Sequence, residues 1–200
     1  PELVYNFQMH TFAKKIFNMK KHIFLFSLLL CSLFVKAQTK NEVKVNILNT
    51  IVLASVELGY EHFIDKDQSI GVEFLINDRF SYTTEKKNGA KEFKTNSILA
   101  SYNFYFGSDG QSNSGYYVSP FLKYRFGDFN EKETVNDVEI TKTTDMNSFI
   151  VGLGTGYKWA WNDKFAIAPY VNIARNFSEE VNDRFSAVEV NAGVSIGYRF

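Results

Sequence analysis

The sequence has 200 residues, with 22 Lys and Arg against 22 Asp and Glu and a formal net charge of zero at pH 7. This balance excludes the basic character of nucleic-acid-binding domains, and the single cysteine excludes a disulfide within the chain and a cysteine-based zinc site. Aromatic residues make up 16% of the sequence.

The first predicted element is a secretory signal peptide in residues 19–37. Met19-Lys20-Lys21-His22 is a basic start, residues 23–35 are apolar, and Ala37 supplies the small residue at the cleavage position. The apolar run is shorter than the roughly 18 residues of a membrane-spanning helix, which disfavours an N-terminal anchor. Residues 1–18 are expected to be an unstructured upstream extension, with Met19 as the true start and cleavage after Ala37.

Residues 38–200 are predicted to form one domain. Removing residues 1–37 removes five lysines and one glutamate, which leaves 17 basic and 21 acidic residues and a net charge of −4. No cysteine remains in this domain, and His62 is its only histidine.

Eight strand-like segments follow, near residues 42–50, 52–64, 69–82, 92–106, 116–129, 147–159, 165–177 and 185–200. Most exceed the roughly 5–6 residues of a typical soluble strand and match the roughly 9–11 residues with which a tilted strand crosses a bilayer. The first hairpin turn is expected at Asn49-Thr50 or Ala54-Ser55. No helical packing is expected after Gln38.

The connections alternate in character. Short polar turns at residues 65–68 and 160–164 alternate with charged loops at residues 83–91, 130–146 and 178–184. Short turns at one end and longer loops at the other are typical of an outer-membrane barrel, with both ends of the domain on the periplasmic side.

Strict alternation gives each strand a bulky apolar face and a small or polar face. The last strand has Val188, Val190, Ala192, Val194, Ile196, Tyr198 and Phe200 on one face and Glu189, Asn191, Gly193, Ser195, Gly197 and Arg199 on the other. Residues 69–82 likewise separate Ile70, Val72, Phe74 and Ile76 from Gly71, Glu73 and Leu75.

Alternation alone also fits a lipocalin-like soluble barrel with its apolar face inward. An eight-stranded barrel has an interior just wide enough for side chains, which suits the small face better than the bulky one. Aromatic residues are also expected to line up as a girdle at the periplasmic rim: Tyr60, Phe104, Phe106, Tyr116, Tyr157, Trp159, Phe165, Tyr198 and Phe200. The prediction is an all-β, eight-stranded antiparallel up-and-down transmembrane β-barrel.

Parity places a set of charged residues inside this barrel: Glu57, Glu61, Glu73, Arg79, Lys123, Arg125, Lys158, Glu189 and Arg199. Because isolated buried charge is costly, these residues must pair or be hydrated. A salt-bridged core that locks the barrel is favoured, and a narrow gated pore is the alternative. Asp78, Arg175 and His62 have outward parity near strand ends, where charge costs little.

No catalytic residue, cofactor or metal site is expected. Some small membrane barrels modify lipids with a histidine, a nearby serine and an orienting acid. His62 has no serine two residues on, and Ser55 lies at the far end of its strand. The scattered carboxylates show no calcium-loop spacing.

The chain resembles the small outer-membrane β-barrel proteins of Bacteroidota, the broad OmpA/OmpX/OmpW-like group. The resemblance rests on Met19-Lys20-Lys21 leading to Ala37-Gln38, on Lys44-Val45-Asn46, on Leu58-Gly59-Tyr60-Glu61 and on the ending Gly197-Tyr198-Arg199-Phe200. It implies fold and location more firmly than activity. The alternating last strand, with Tyr198 and Phe200, also resembles the signal read by the barrel-assembly machinery.

The expected role is therefore a non-enzymatic envelope-structural or surface-interaction protein of the outer membrane. Its expected partners are outer-membrane lipid and the assembly machinery, with loops 83–91 and 130–146 as contact surfaces for an extracellular ligand. A monomer is expected, and no nucleic acid. The alternative is a narrow channel or transporter for small or hydrophobic solutes, and a lipid-modifying enzyme is a weaker one.

Overall fold

The computed structural model describes residues 40–53, 55–78, 91–107, 112–135 and 138–200. These residues contain nine strands and two helices: β1 (Asn41–Asn46), α1 (Ile47–Leu53), β2 (Val56–Phe63), β3 (Gln68–Ile76), β4 (Lys91–Phe106), β5 (Gly115–Val135), β6 (Val138–Asp145), β7 (Ser148–Trp161), β8 (Phe165–Asn176), α2 (Glu179–Arg184) and β9 (Val188–Arg199). Neither helix in this part of the chain is long and apolar enough to span a membrane.

Several predictions fall elsewhere in the chain. The signal peptide, the upstream extension, Arg79 and loop 83–91, apart from the backbone of Lys91 at the start of β4, lie outside the described residues. Thr39–Arg199 form one compact unit, and Phe200 is the only described residue of the other.

Eight of the strands close into an antiparallel barrel. Their order is β4-β3-β2-β1-β9-β8-β7-β5, and the pairing of β4 with β5 joins the two ends of the sheet. Every pairing is antiparallel, and barrel neighbours follow one another along the chain, which confirms the predicted up-and-down barrel. Closure leaves no open edge in the barrel wall that would need a partner strand.

The expected loop 130–146 is instead a β-hairpin. β5 pairs with β7 only from Gly115 to Arg125, and beyond the barrel its residues from Asp128 to Val135 pair with β6. The prediction of a loop there is wrong because β4 pairs with β5 as far as Glu131 and keeps it extended, while the opposite edge of β5 has no β7 partner beyond Arg125. The free backbone groups of β5 then favour a further strand.

The first hairpin also differs from the prediction. β1 stops at Asn46, opposite Ser195 of β9, and α1 follows where a longer strand was expected. Asn46 caps this helix, since its Oδ1 accepts a hydrogen bond from the backbone N of Asn49 at 3.0 Å. Asn49 and Thr50 lie within α1, so the turn predicted there does not form, and Ala54 of the other predicted turn lies outside the described residues. The helices α1 and α2 show that the expected absence of helix after Gln38 was wrong.

The predicted faces are confirmed. On β3, Ile70 and Phe74 are 46% and 43% exposed, whereas Leu75 on the opposite face is 3% exposed. The same bulky set is exposed on the other strands, including Phe149, Val151 and Leu153 of β7. A lipocalin-like arrangement would bury these side chains, so the soluble alternative is excluded by their orientation.

Apart from Phe200, the aromatic residues of the predicted girdle lie at one end of the barrel, which we call the lower end because β1 begins and β9 ends there. Register places Phe106 beside Tyr116, Tyr116 beside Tyr157 and Phe165 beside Tyr198. The rings of Tyr116 and Tyr157 meet edge to face at 4.7 Å. Phe200 directly follows β9 and is exposed.

Candidate functional site: the barrel interior

The lower cluster comprises six charged side chains inside the barrel: Glu42, Lys44, Glu61, Glu73, Lys158 and Arg199. Lys158 Nζ lies 3.2 Å from Glu42 Oε1 and 2.8 Å from Glu61 Oε2. Arg199 Nε donates to Glu42 Oε2 at 2.9 Å. These four side chains are almost completely buried, so their charges depend on one another for compensation.

Hydrogen bonds tie the lower cluster to the surrounding strands. Lys44 Nζ lies 2.6 Å from Glu73 Oε1, and Ser69 Oγ donates to Glu61 Oε1 at 2.6 Å. The Tyr105 hydroxyl also donates to Glu61. Arg199 in addition donates from Nη2 to the carbonyl of Asn113 at 2.7 Å, in the turn before β5. The lower mouth is thereby closed by backbone as well as side chains.

The upper cluster comprises Asp78, Lys123, Arg125 and Glu189, near the end that carries the β5–β6 hairpin. Arg125 pairs with Glu189 through two bonds, Nη1 to Oε1 at 2.8 Å and Nη2 to Oε2 at 2.7 Å. Its Nε also donates to Asp78 Oδ2 at 3.0 Å. Lys123 Nζ lies 3.1 Å from Asp78 and 3.3 Å from Glu189. Two-bond pairing of this kind fixes geometry as well as charge.

Asp78 lies two residues beyond the end of β3. Burial alone would raise the pKa of its carboxyl, but Arg125 and Lys123 outweigh burial and hold that pKa below its usual range. Ser97 Oγ adds a hydrogen bond to Asp78 Oδ2 at 2.6 Å. Asp78 is therefore an ionised member of the upper cluster.

Apolar side chains fill the space between and above the clusters. Leu75, Leu99, Phe121, Ile150 and Ala174 form a buried layer, with Leu75 two residues after Glu73 and Phe121 two residues before Lys123. An upper cap consists of Phe93, Phe129, Met146, Val181 and Phe185. Arg184 of α2 forms an ion pair with Glu131 of β5 beside this cap.

Two small cavities lie inside the barrel among the described residues. One cavity of about 50 Å³ lies beside Glu57, Glu73 and Tyr170, and another of about 20 Å³ lies nearer Lys123 and Glu189. Such volumes hold a few water molecules at most. The arrangement therefore suits mutual charge compensation better than passage of a solute.

The interior shows no recognisable metal centre or catalytic triad in the described ranges. No group of three or more His, Cys, Asp or Glu side chains that could hold a metal lies within them. His62 is half-buried on the outward face, with its Nδ1 2.9 Å from Asn41 Oδ1. Ser55, just before the opposite end of β2, donates to the carbonyl of Ile76 at 3.4 Å.

Eight of the nine charged residues predicted to lie inside the barrel are described, and they divide among three places; the ninth, Arg79, lies outside the described residues. Glu61, Glu73, Lys158 and Arg199 join the lower cluster, and Lys123, Arg125 and Glu189 join the upper cluster. Glu57 joins neither: it accepts hydrogen bonds from Asn46, Asn49 and Tyr170. Tyr198, which was assigned to the assembly signal, faces outward, and the centroid of its ring lies 5.5 Å from that of Phe165.

Sequence reasoning missed three members of the clusters. Glu42 and Lys44 share the inward face of β1, and their alternation with Val43 and Val45 was a usable signal. Asp78 was predicted to point outward but is buried. Asn77 has a left-handed backbone, with φ of 58°, which breaks the alternation just before Asp78 and turns its side chain inward. Arg175 is exposed, as predicted.

Fold and interior together define a closed eight-stranded barrel with an apolar exterior and a filled, ion-paired interior. The model of the family described as "Protein of unknown function (DUF3575)" matches residues 23–189, and the chain belongs to this family. No curated protein matches the chain at a significant level.

Three solved structures illustrate what the chain is similar to. The N-terminal β-barrel domain of Pseudomonas aeruginosa OprF is 15% identical, with a TM-score of 0.47, and the match covers 80% of this chain and 95% of that one. Neisserial surface protein A is 18% identical, with a TM-score of 0.38 and coverage of 80% and 91%. Ail of Yersinia pestis, in complex with the heparin analogue sucrose octasulfate, is 15% identical, with a TM-score of 0.43 and coverage of 80% and 94%. The closed barrel of this chain is established by its own strand order and registers.

Proposed function

We propose that this chain is a non-enzymatic outer-membrane protein whose barrel spans the bilayer and whose role is envelope-structural or surface-interacting. The observation that carries the proposal is the pairing of an exposed apolar exterior with an interior that is filled and ion-paired.

The exterior supports the location. Its exposed apolar side chains occur on every strand of the barrel, including Val43, Leu58, Phe74, Ile98, Leu122, Leu153, Ile173 and Ile196. A contiguous apolar surface of this extent is unfavourable in water but matches hydrocarbon. The aromatic residues at the lower end match the interfacial level of a bilayer, where amphipathic rings are favoured.

The interior supports a role other than transport. A solute crossing the barrel would have to break the lower cluster, pass the layer around Phe121 and then break the upper cluster. Separating a buried ion pair costs several kcal/mol because each charge loses its partner in a poorly solvated site. The narrow-channel alternative therefore requires a rearrangement of both clusters.

The β5–β6 hairpin is the proposed contact surface in the described part of the chain. It continues β5 for ten residues beyond Arg125, the last residue paired with β7. The hairpin carries exposed charged side chains, among them Lys132 and Glu139, whose Nζ and Oε1 atoms lie 3.3 Å apart. Surface segments held on a rigid scaffold are frequent binding sites. Loop 83–91 remains a second proposed surface.

The remaining assignments extend the same proposal. We infer export by the signal peptide in residues 19–37, cleavage after Ala37, and insertion by the barrel-assembly machinery that reads Tyr198 and Phe200. Kinship with the OmpA/OmpX/OmpW-like proteins of Bacteroidota, a monomeric state and an extracellular ligand belong to this proposal too.

Three measurements test the proposal: membrane fractionation, conductance in planar bilayers and analysis of lipid A. Membrane fractionation followed by gel electrophoresis should place the chain in the outer-membrane fraction, with an unboiled band that migrates differently from the boiled one. Purified protein in planar bilayers should give no reproducible single-channel steps. Steps that disappear on Arg125→Ala would favour the channel, and altered lipid A that depends on His62 would favour the enzyme.

A further inference from the structure

Glu57 differs from the other acidic residues that face the barrel interior. Glu42, Glu61, Glu73, Asp78 and Glu189 each have a Lys or Arg nitrogen within 4.0 Å. Glu57 is 6% exposed, and among the described residues no cation lies that close to it.

The hydrogen-bond donors around Glu57 are neutral. Asn46 Nδ2 and the Tyr170 hydroxyl each lie 2.8 Å from Oε2, and Asn49 Nδ2 lies 2.6 Å from Oε1. These three bonds orient the carboxylate without neutralising it. A buried carboxylate without a counter-charge is costly, so the site favours a cation.

The cavity of about 50 Å³ beside Glu57 carries the same charge imbalance. Its ionisable carboxylates are Glu57 and Glu73, and its one lysine is Lys44, which already pairs with Glu73 at 2.6 Å. The lining therefore has a net charge of −1 when these groups are ionised. A single monovalent cation would balance it.

A second observation at the same cavity is independent of charge. Ser101 lines the cavity, and its Oγ is fully buried with no hydrogen-bond partner in the described part of the chain. A buried hydroxyl without a partner loses its hydration without compensation. A water molecule or a cation inside the cavity could supply the partner that this hydroxyl lacks among the described protein atoms.

Chemistry and size narrow the class of ion. Carboxylate, hydroxyl and amide oxygens are hard ligands that suit alkali and alkaline-earth cations. A divalent ion typically requires several carboxylate ligands. Of the described carboxylates at this cavity, only Glu57 has no lysine partner, since Glu73 pairs with Lys44. The volume accommodates an ion with a few waters and excludes a bulky organic cation.

We propose that the cavity bounded by Glu57 and Ser101 binds one monovalent cation, Na⁺ or K⁺, and that this ion stabilises the closed barrel. Binding to the folded state alone makes stability rise with cation concentration. The inference does not depend on the proposed function, because a conducting or catalytic barrel could hold the same ion.

The test is urea unfolding of the refolded protein in detergent micelles, at constant ionic strength, with NaCl or KCl replaced by N-methyl-D-glucammonium chloride. For a dissociation constant near 30 mM, the unfolding equilibrium constant in 300 mM Na⁺ or K⁺ should be about tenfold lower than in the organic cation. Glu57→Gln keeps the shape of the side chain and should abolish the difference. Ser101→Ala should reduce it.

The exposed Glu139→Gln is the matched control and should retain the full difference. Equal unfolding of the wild type in the three salts would overturn the proposal and leave Glu57 as a neutral, hydrated carboxyl. An undiminished salt difference in Glu57→Gln would overturn it as well, because the ion would then bind elsewhere.

Discussion

The substitution Arg125→Met tests the ion pairs of the upper cluster. Arg125 is 1% exposed and makes three short bonds, two to Glu189 and one to Asp78. Methionine fills much of the same volume but leaves two buried carboxylates with Lys123 as their one remaining cation in the upper cluster. Removing one partner of a buried ion pair typically costs about 3–5 kcal/mol, and we expect a loss of unfolding free energy in that range.

The assay is urea unfolding of the refolded barrel, followed by tryptophan fluorescence. Arg175→Met is the matched control, because Arg175 lies on β8 with its side chain exposed near Phe177. Its loss should stay within about 0.5 kcal/mol, as for most surface substitutions. The slope of free energy against urea should be unchanged in both variants if the folded barrel keeps its compactness.

The double variant Arg125→Met with Glu189→Gln isolates the pair. Because the amide that replaces the carboxylate of Glu189 carries no charge, the double variant should lose less than the sum of the two single losses. A loss below about 1 kcal/mol for Arg125→Met, equal to that of Arg175→Met, would refute the reasoning. It would mean that water solvates the upper cluster.

Three further predictions concern the backbone, the cap and the first helix. Gly127→Ala should destabilise the barrel by more than about 1 kcal/mol in the same assay. Gly127 has φ of 122°, and an added Cβ would lie 2.0 Å from the carbonyl oxygen of Lys94. A loss of less than about 0.3 kcal/mol would contradict this prediction. Val181→Asp should raise trypsin cleavage at Arg184 at least about tenfold, because Val181 is fully buried in the upper cap; unchanged cleavage would show that the cap is not closed. Asn46→Ala should cost about 1–2 kcal/mol of unfolding free energy, since it removes the cap of α1 and a bond to Glu57; a neutral effect would contradict the assignment of α1.

Sequence reasoning predicted the faces of the strands well because burial on one side imposes a period of two. Ile70, Val72 and Phe74 point outward, and Gly71 and Leu75 point inward, as their positions in the sequence require. The same reasoning failed at Asp78, where one left-handed residue shifts the phase. Periodicity carries no information about a backbone angle beyond the end of a strand.

The helix α1 and the strand β6 were missed for different reasons. Residues 47–53 are apolar and rich in β-branched side chains, so they resemble strand until the Asn46 cap and its hydrogen bonds are known. Residues 138–145 are mostly polar or charged, so they resemble a loop. They pair with an edge of β5 that β7 leaves unpaired beyond Arg125, where β4 on the other side keeps β5 extended. The pairing partners within each charge cluster were beyond prediction, since Arg125 and Glu189 are 64 residues apart.

The two tryptophans of the chain report directly on the outward orientation of the bulky side chains. Trp159 and Trp161 are 46% and 48% exposed on the outward face of β7. If the bulky side chains face lipid, bromine in vesicles of brominated lipid should quench the fluorescence of both tryptophans strongly, and aqueous iodide should quench it little. Fluorescence untouched by brominated lipid and quenched by iodide as fully as in urea would contradict this orientation.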